Sequence, residues 1–542
     1  MVSRRHVIKS AAAAATVLAM PKFASALSAS SGFLPAGYWV PANQPLSLIY
    51  PLSDAVTNAN ARHHWAYYNG TNAIQYQIPI VAMGGAYPYV FTLDSASTAL
   101  GMSIGAAWGS ANYGVLTWQP TATVSAQTVT VTVTDQQLNA VQAVFTLSTS
   151  STTSHFVFLD ALNGSDSGAG TYGSPWQTLQ RAFGSTFQSS GAGAGAICYL
   201  KPTATYPTSG VMYTDSTDIN SHPWFEMNTN TKPVALIGLG GQATLDWTSG
   251  VWGLAIGNLA NDFFGAFLNP NGYGSIINPK WWAIFSGPQQ LRIVDWNSTW
   301  SNSGYGTAGT DNATGHFASD IGASSLRSYI ALLNFTETNR ESGKSGNNYP
   351  GHSLYGCQNW VSDGFTINMP TATFDAVCYA KGTNVNFEMR NHFINVAASG
   401  VGGVCSTPGY SASGEPTSTS GEVRYCFIAG QSDSTSTGPK IGTQSGTYGT
   451  FYLNRNTLIG QFENGFGGRC VYQNNVVQTT GTAIPSGSGD TSSGNVTATS
   501  GIINSTTLHL QGSALSLVGT VGAQIALGAS TPTPKAPALN VS

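Results

Sequence analysis

The sequence predicts an all-β chain in which a small β-sandwich precedes a long solenoid of short strands. Three observations point there. Only 8% of the 542 residues are charged, while hydrophobic residues make up 42% and glycine alone numbers 63; an average globular chain carries about 25% charged residues. Ser, Thr, Asn and Gly, the residues of turns between strands, replace the missing charge, and the apolar share is too large for disorder. Second, Thr128-Val129-Thr130-Val131-Thr132-Val133-Thr134 alternates strictly, the period of a strand with one face buried. Third, a short polar–aliphatic motif recurs between residues 390 and 477 at uneven spacing, as stacked coils of a solenoid require.

Residues 1–26 read as an export signal. Ser3-Arg4-Arg5-His6-Val7-Ile8-Lys9 resembles the twin-arginine pattern S-R-R-x-F-L-K, an Ala-rich apolar stretch follows from Ala11 to Met20, and Ala24-Ser25-Ala26 offers a small-residue cleavage site. The apolar run falls short of the ~20 residues of a membrane span. An ordinary secretory signal is the alternative; either way the expected location is periplasmic or secreted. Without this segment the chain carries 16 Lys and Arg against 23 Asp and Glu, a balance that argues against a nucleic-acid binder. No later segment suits a membrane span, so a soluble mature protein is expected.

Residues 27–150, including an N-terminal extension, alternate apolar and polar residues between turn signals. Strands are expected at 75–81, 87–93, 114–118, 127–135 and 143–147, a spacing that suits a sandwich. The text "GGAYPYVFTLDSASTALGMSI…GVLTWQP…QTVTVTVTD" resembles the bacterial Ig-like and cadherin-like repeats that accompany secreted enzymes. The resemblance implies a spacer or a carbohydrate-contacting accessory domain. Trp65, Tyr67 and Tyr68 offer surfaces for sugar stacking, although strand aromatics more often serve the core.

A Ser/Thr-rich linker is expected at 151–154. The passage "HFVFLDALNGSDSGAGTYGSPWQTLQRAF", residues 155–183, is similar to the opening of secreted right-handed parallel β-helix proteins of the pectate-lyase-like superfamily. A strand (Phe156–Asp160) leads to a Gly/Asp turn, Gly170-Thr171, Pro175 and a short helix reading T-L-x-x-A from Thr178 to Ala182. The open apolar end of a solenoid needs such an amphipathic cover. Ser174 is the expected helix cap with Pro175 at the first helical position, and Asp160 and Asp166 are expected as turn residues rather than ligands. The resemblance implies a right-handed parallel β-helix over residues 155–530, with a flexible tail at 531–542.

Late in that region Arg390-Asn391-His392-Phe393-Ile394 lines up with Arg424-Tyr425-Cys426-Phe427-Ile428, Arg455-Asn456-Thr457-Leu458-Ile459 and Gln473-Asn474-Asn475-Val476-Val477, at spacings of 34, 31 and 18 residues. Stacked coils would pile the aliphatic residues into the core and ladder Asn amides at the bend. Cys198, Cys357, Cys378, Cys405, Cys426 and Cys470 form no C-x-x-C pair, and several sit inside apolar strand patterns. Buried free thiols are favoured over a disulfide framework or a zinc site.

Charges are rare enough that clusters of them stand out. Along Asn384–His392, alternation sends Val385, Phe387 and Met389 inward and puts Asn384, Asn386, Glu388, Arg390 and His392 outside. The repeat then predicts an outer stripe of Arg390, Arg424 and Arg455 flanked by Glu388, Glu422 and Tyr452. Guanidinium groups suit sugar carboxylates. The alternative is that these Arg and Glu residues neutralise one another as structural ion pairs. A second group on an expected loop comprises Glu337, Arg340, Glu341 and Lys344, followed by His352 and Tyr355.

The β-helix resemblance implies a polysaccharide lyase or a related glycoside hydrolase. In a lyase, a base removes the proton α to a uronate carboxylate that Arg or Ca²⁺ neutralises. Lys381, His392 and His352 are the candidate bases, Arg390 and Arg424 the neutralisers, and Arg455, Tyr452, Lys344 and Asn386 further substrate contacts. A hydrolase would instead use two acids among Glu388, Asp363 and Asp375. No diagnostic catalytic motif of either class stands intact. No metal site is evident, and Glu388 with Glu422 makes only a weak Ca²⁺ site. The leading expectation is β-elimination of an acidic polysaccharide by a monomer, with a hydrolase or a non-catalytic carbohydrate-binding or adhesion protein as alternatives.

Overall fold

The computed structural model describes residues 43–55, 62–106, 114–183, 196–207, 225–226, 234–241, 243–247, 254–255, 262–272, 276–277, 281–285, 290–291, 317–318, 327–333, 336–337, 352–369, 376–396, 402–407, 420–429, 440–446, 449–466 and 469–503. These residues are nearly all β, with two short α-helices at Ser95–Ala99 and Leu179–Phe183. None of their helices is long and apolar enough to cross a membrane. The expected export signal, Lys344 and the expected tail lie outside the described residues.

Two four-stranded sheets occupy the N-terminal part. One pairs Ser47–Tyr50, Tyr76–Met83, Gly114–Trp118 and Ser103–Ala106 in antiparallel order. The other pairs Trp65–Tyr67, Ala140–Ser150, Gln127–Thr134 and Val90–Leu93. The alternating strand behaves as its period dictates: Val129, Val131 and Val133 are buried, and the intervening threonines are not. These valines join Ile78, Leu116 and Phe145 in a common core. Residues 151–154, expected as a linker, form a turn whose Thr152 carbonyl accepts the N–H groups of His155 and Phe156 at 3.0 and 2.9 Å. The His155 ring stacks on Trp65 at 3.5 Å, which pins the following strand to the N-terminal sheets.

From Phe156 onward the chain runs through parallel ladders that it visits in rotation. The first ladder stacks Phe156–Asp160, Ile197–Lys201, Val234–Gly238, Asp262–Ala266, Trp281–Phe285 and Arg327–Leu333. It continues through the later halves of His352–Asp363 and Ala376–Arg390, then Ser420–Arg424, Thr450–Asn454 and Arg469–Gln473. A second ladder passes through the earlier halves of His352–Asp363 and Ala376–Arg390, then Gly402–Thr407, Lys440–Gly446 and Gln461–Phe466. A third runs from Thr366–Met369 through Phe393–Val396, Phe427–Ala429, Thr457–Ile459 and Val476–Gln478 to Val496–Ala498. Inward residues such as Leu159, Leu200, Leu332, Trp360, Phe387, Met389 and Leu453 form one continuous apolar core.

The bend between the first and third ladders explains the sequence repeat. Gly364, Asn391, Tyr425, Arg455, Asn474 and Gly494 occupy equivalent positions there, all with φ between 54° and 81°. The next position holds His392, Cys426, Asn456, Asn475 and Asn495. Asn475 Oδ1 accepts the Asn456 backbone N–H at 2.9 Å and Asn456 Nδ2 at 3.1 Å, and Asn495 Oδ1 accepts from Asn475 in the same way. Each amide therefore satisfies the backbone of a turn that has no ladder partner. The register corrects one expectation: Arg424 pairs with Asn454, so Arg455 sits one residue later, at the left-handed bend.

The helix at Leu179–Phe183 covers the N-terminal end of the core with Leu179 and Ala182, next to Trp176. Its cap is Thr178, whose Oγ1 accepts the Arg181 N–H at 3.1 Å, rather than Ser174. Asp166 is a turn residue as expected, accepting from the Gln177 and Thr178 N–H groups at 2.9 Å. Cys198, Cys357, Cys378, Cys426 and Cys470 are buried and form no disulfide with one another; the Cys405 side chain lies outside the described residues.

Candidate functional site

The outward rows of the first ladder change character along its length. Phe156, Phe158, Tyr199, Ile237, Phe264 and Val361 are apolar, and they pack against Ile49, Tyr67, Val81 and Met83 of the N-terminal sheets. Further along, the same two rows carry Asp363, Glu388, Arg390, Glu422 and Arg424. The N-terminal sheets continue over these residues as well. The result is a buried charge network between the two parts of the chain.

Its geometry is well defined. Arg390 Nε donates to Asp363 Oδ2 at 2.7 Å, and Arg390 Nη1 donates to Glu388 Oε1 at 3.1 Å and to the Ala82 carbonyl at 3.0 Å. Arg424 Nε donates to Glu388 Oε1 and Arg424 Nη2 to the Tyr89 hydroxyl. The Gly84 N–H donates to Glu388 Oε2 at 3.0 Å, while Asn43 Nδ2 donates to Glu422 Oε1 at 2.9 Å. Gly84 has φ +67° and no room for a Cβ against the Pro45 carbonyl, so glycine is needed to present that N–H. Arg390 and Glu388 are 0% exposed and Arg424 is 1% exposed.

The electrostatics follow from burial. Burial alone would push the Glu388 carboxyl up, but Arg424 and Arg390 more than offset it and hold the group below the usual glutamate range. Glu422 goes the other way: burial and the Glu388 charge hold it above that range against the pull of Arg424. Burial lifts the Tyr89 hydroxyl to about 12. Two guanidinium groups thus face three carboxyls, and Glu422 takes a proton more readily than Glu388.

These positions correct the expectation of an open outer stripe. Glu388, Arg390 and Arg424 are in register as the repeat implied, but the N-terminal sheets cover them. His392 is also buried, with Nε2 3.0 Å from Ser362 Oγ and Nδ1 3.6 Å from Cys378 Sγ. Burial depresses its pKa to about 3. Asn384 points inward, accepting from Trp360 Nε1 at 2.9 Å, because a bulge at Asn386 (φ 52°) shifts the alternation. Arg455 is 6% exposed at the bend, and burial lowers its pKa to about 10. Asn386 is exposed and Tyr452, opposite Glu422, is half-buried.

Lys381 and His352 fall elsewhere. Both stand on the second ladder, where register sets Lys381 between Tyr355 and Thr407 and His352 beside Cys378. Their side chains, like Lys344, Arg340, Glu341 and Asp375, lie outside what is described. Sequence reasoning passed over Gly84, Tyr89 and Asn43, which complete the network from more than 300 residues away. It also passed over Asp54, His63 and His64, whose ligand atoms lie within 4.8 Å of one another; the adjacent histidines, in a chain with nine in all, were the available signal.

No protein-family model and no curated protein matches the chain. A solved structure similar to it is a GH136 lacto-N-biosidase from Eubacterium ramulus. The two are 12% identical and align with a TM-score of 0.33 over 64% of this chain and 68% of that one. The likeness is too coarse to carry an activity across.

Proposed function

We propose that this chain is an exported protein that binds and cleaves an acidic polysaccharide along the flank of a right-handed parallel β-helix, with an Ig-like sandwich clamped to that helix. The observation that carries the proposal is the set of parallel ladders, visited in rotation, whose stacked rows provide an extended flank of the length a polymer needs. Because the first ladder is occupied by the N-terminal sheets, substrate contact is assigned to the second. There Lys381 is the proposed base for removing the proton α to a uronate carboxylate, with Tyr355 and Thr407 in its row and His352 on the adjacent strand, three residues before Tyr355. Asn386, exposed at the bulge between the two halves of its strand, extends the proposed contact surface.

The test is incubation of purified protein with alginate, pectate and glucuronan, following the ultraviolet absorbance of unsaturated ends and, in parallel, new reducing ends. Lys381→Ala should abolish both signals while leaving the melting temperature unchanged. Reducing ends without absorbance would replace elimination by hydrolysis. A second reading, glycan binding without cleavage, is favoured by the burial of Glu388, Arg390, His392 and Arg424, which withdraws four of the candidate catalytic and substrate-binding groups from the surface. Retardation in affinity electrophoresis without any product supports it; neither product nor retardation on a broad panel overturns both readings.

A further inference from the structure

The N-terminal sheets hold a group of side chains that neither the proposed activity nor the docking network uses. His63 and His64 lie on the 3-10 turn Arg62–His64, and Asp54 lies just after the strand Ser47–Tyr50. His64 Nε2 is 3.1 Å from Asp54 Oδ1, and the two imidazole rings meet edge to face at 4.3 Å. The second Asp54 oxygen is already committed: Oδ2 accepts the Thr146 backbone N–H at 3.0 Å and the Thr146 hydroxyl at 2.7 Å. That pair of bonds orients the carboxylate and leaves Oδ1 aimed at the histidines, the arrangement by which outer partners orient a ligating carboxylate.

His63 supplies the second observation. It is 1% exposed, boxed by Tyr50 and Phe145 at ring distances of 5.5 and 5.0 Å, and neither of its ring nitrogens has a well-formed hydrogen bond. Among the described residues, the Leu52 carbonyl is the one backbone group that approaches the ring. A buried imidazole with so little hydrogen bonding is uncommon and calls for an explanation. Arg62 itself is engaged elsewhere, donating to the Trp65 carbonyl at 2.8 Å and lying 4.7 Å over the Tyr76 ring.

We propose that Asp54, His63 and His64 bind a divalent transition-metal ion of the zinc class, with two imidazole nitrogens and one carboxylate oxygen as protein ligands and a fourth position open to water on the Asp54 side. Two nitrogens and one oxygen suit zinc and its first-row neighbours rather than calcium or magnesium. Around an ion about 2.0–2.1 Å from each ligand, ligand atoms stand roughly 3.4 Å apart. The Asp54–His64 pair is already near that spacing, and side-chain rotation closes the rest from within 4.8 Å. The Asp54 side chain is 43% exposed, which gives the ion a way in. Bound metal would tie the chain before residue 56 to the turn after residue 61.

The experiment uses the full chain stripped with EDTA and titrated with Zn²⁺ alone, read by calorimetry, by melting temperature and, with Co²⁺ as a spectroscopic substitute, by visible absorption. The expected result is one equivalent of Zn²⁺, a melting temperature raised by several degrees and reversed by EDTA, and the absorption of a four- or five-coordinate Co²⁺ site. Asp54→Ala, at an exposed position where folding is not at stake, should weaken Zn²⁺ binding at least tenfold, and His63→Gln should abolish it. Absence of stoichiometric uptake by the unaltered chain overturns the proposal. So does uptake that Asp54→Ala leaves unchanged, which would place the ion elsewhere.

Discussion

Replacing Glu388 by Gln probes the buried network with almost no change of shape. Gln keeps an oxygen to accept the Gly84 N–H, so the loss is electrostatic. Glu388 faces Arg390 Nη1 at 3.1 Å and is also bonded by Arg424 Nε. At an effective dielectric of about 20, each such pair is worth about 4 kcal/mol. Relief of carboxylate desolvation returns several kcal/mol, and breaking one side of a buried pair costs about 3–5 kcal/mol net. Glu422→Gln is the matched control. Its carboxyl is held above the usual range, so its contribution to stability is complete below the ordinary glutamate value and is lost as pH rises through its folded value. A neutral amide there still accepts from Asn43 and Asn454, and should leave stability within about 1 kcal/mol of the parent or above it at pH 7–8. Denaturant unfolding followed by tryptophan fluorescence, with limited proteolysis as a readout of undocking, measures both. Equal costs for the two variants, or a Glu388→Gln cost below about 1 kcal/mol, would refute the reasoning.

Two further outcomes are expected. Because burial depresses His392 to about 3, its contribution to stability is complete above the ordinary histidine range near 6.5 and declines as pH falls toward 3; His392→Gln should flatten that acid limb in a pH series of melting temperatures. Asn456→Ala removes the acceptor of the Cys426 N–H and the donor to the Val423 carbonyl, both fully buried. It should cost about 2–4 kcal/mol in denaturant unfolding.

The strand positions were legible because short alternating runs between turn residues leave few other options. The strands at 114–118 and 156–160 fall where the pattern put them. The repeat was legible too, since Ile394, Ile428 and Val477 must fill one core and Asn475 must satisfy a bare bend. Its third member slipped by one residue because the Arg455 side chain suggested an outward strand position, whereas a left-handed backbone there places it between strands. What alternation cannot carry is coverage. It assigned Glu388 and Arg390 to the outer side of their strand, and that side does face away from the core; nothing local reveals that Ala82, Gly84 and Tyr89 lie over it. The bulge at Asn386 was equally silent, because Asn suits both an exposed strand and a left-handed turn.

The Gly84–Glu388 contact joins residues 304 positions apart, and Asn43–Glu422 spans 379. During synthesis the N-terminal sheets therefore emerge long before the acids and guanidinium groups that receive them. Until residue 388 has left the ribosome the Gly84 N–H has no ionic partner, and until residue 424 has left it the Tyr89 hydroxyl has none. Closure of the network is thus a late event, possible only once residue 424 has been made. A product truncated in the middle of the ladders retains an unlatched N-terminal part, open to proteases and chaperones, so the latch also records that elongation has reached the later ladder strands.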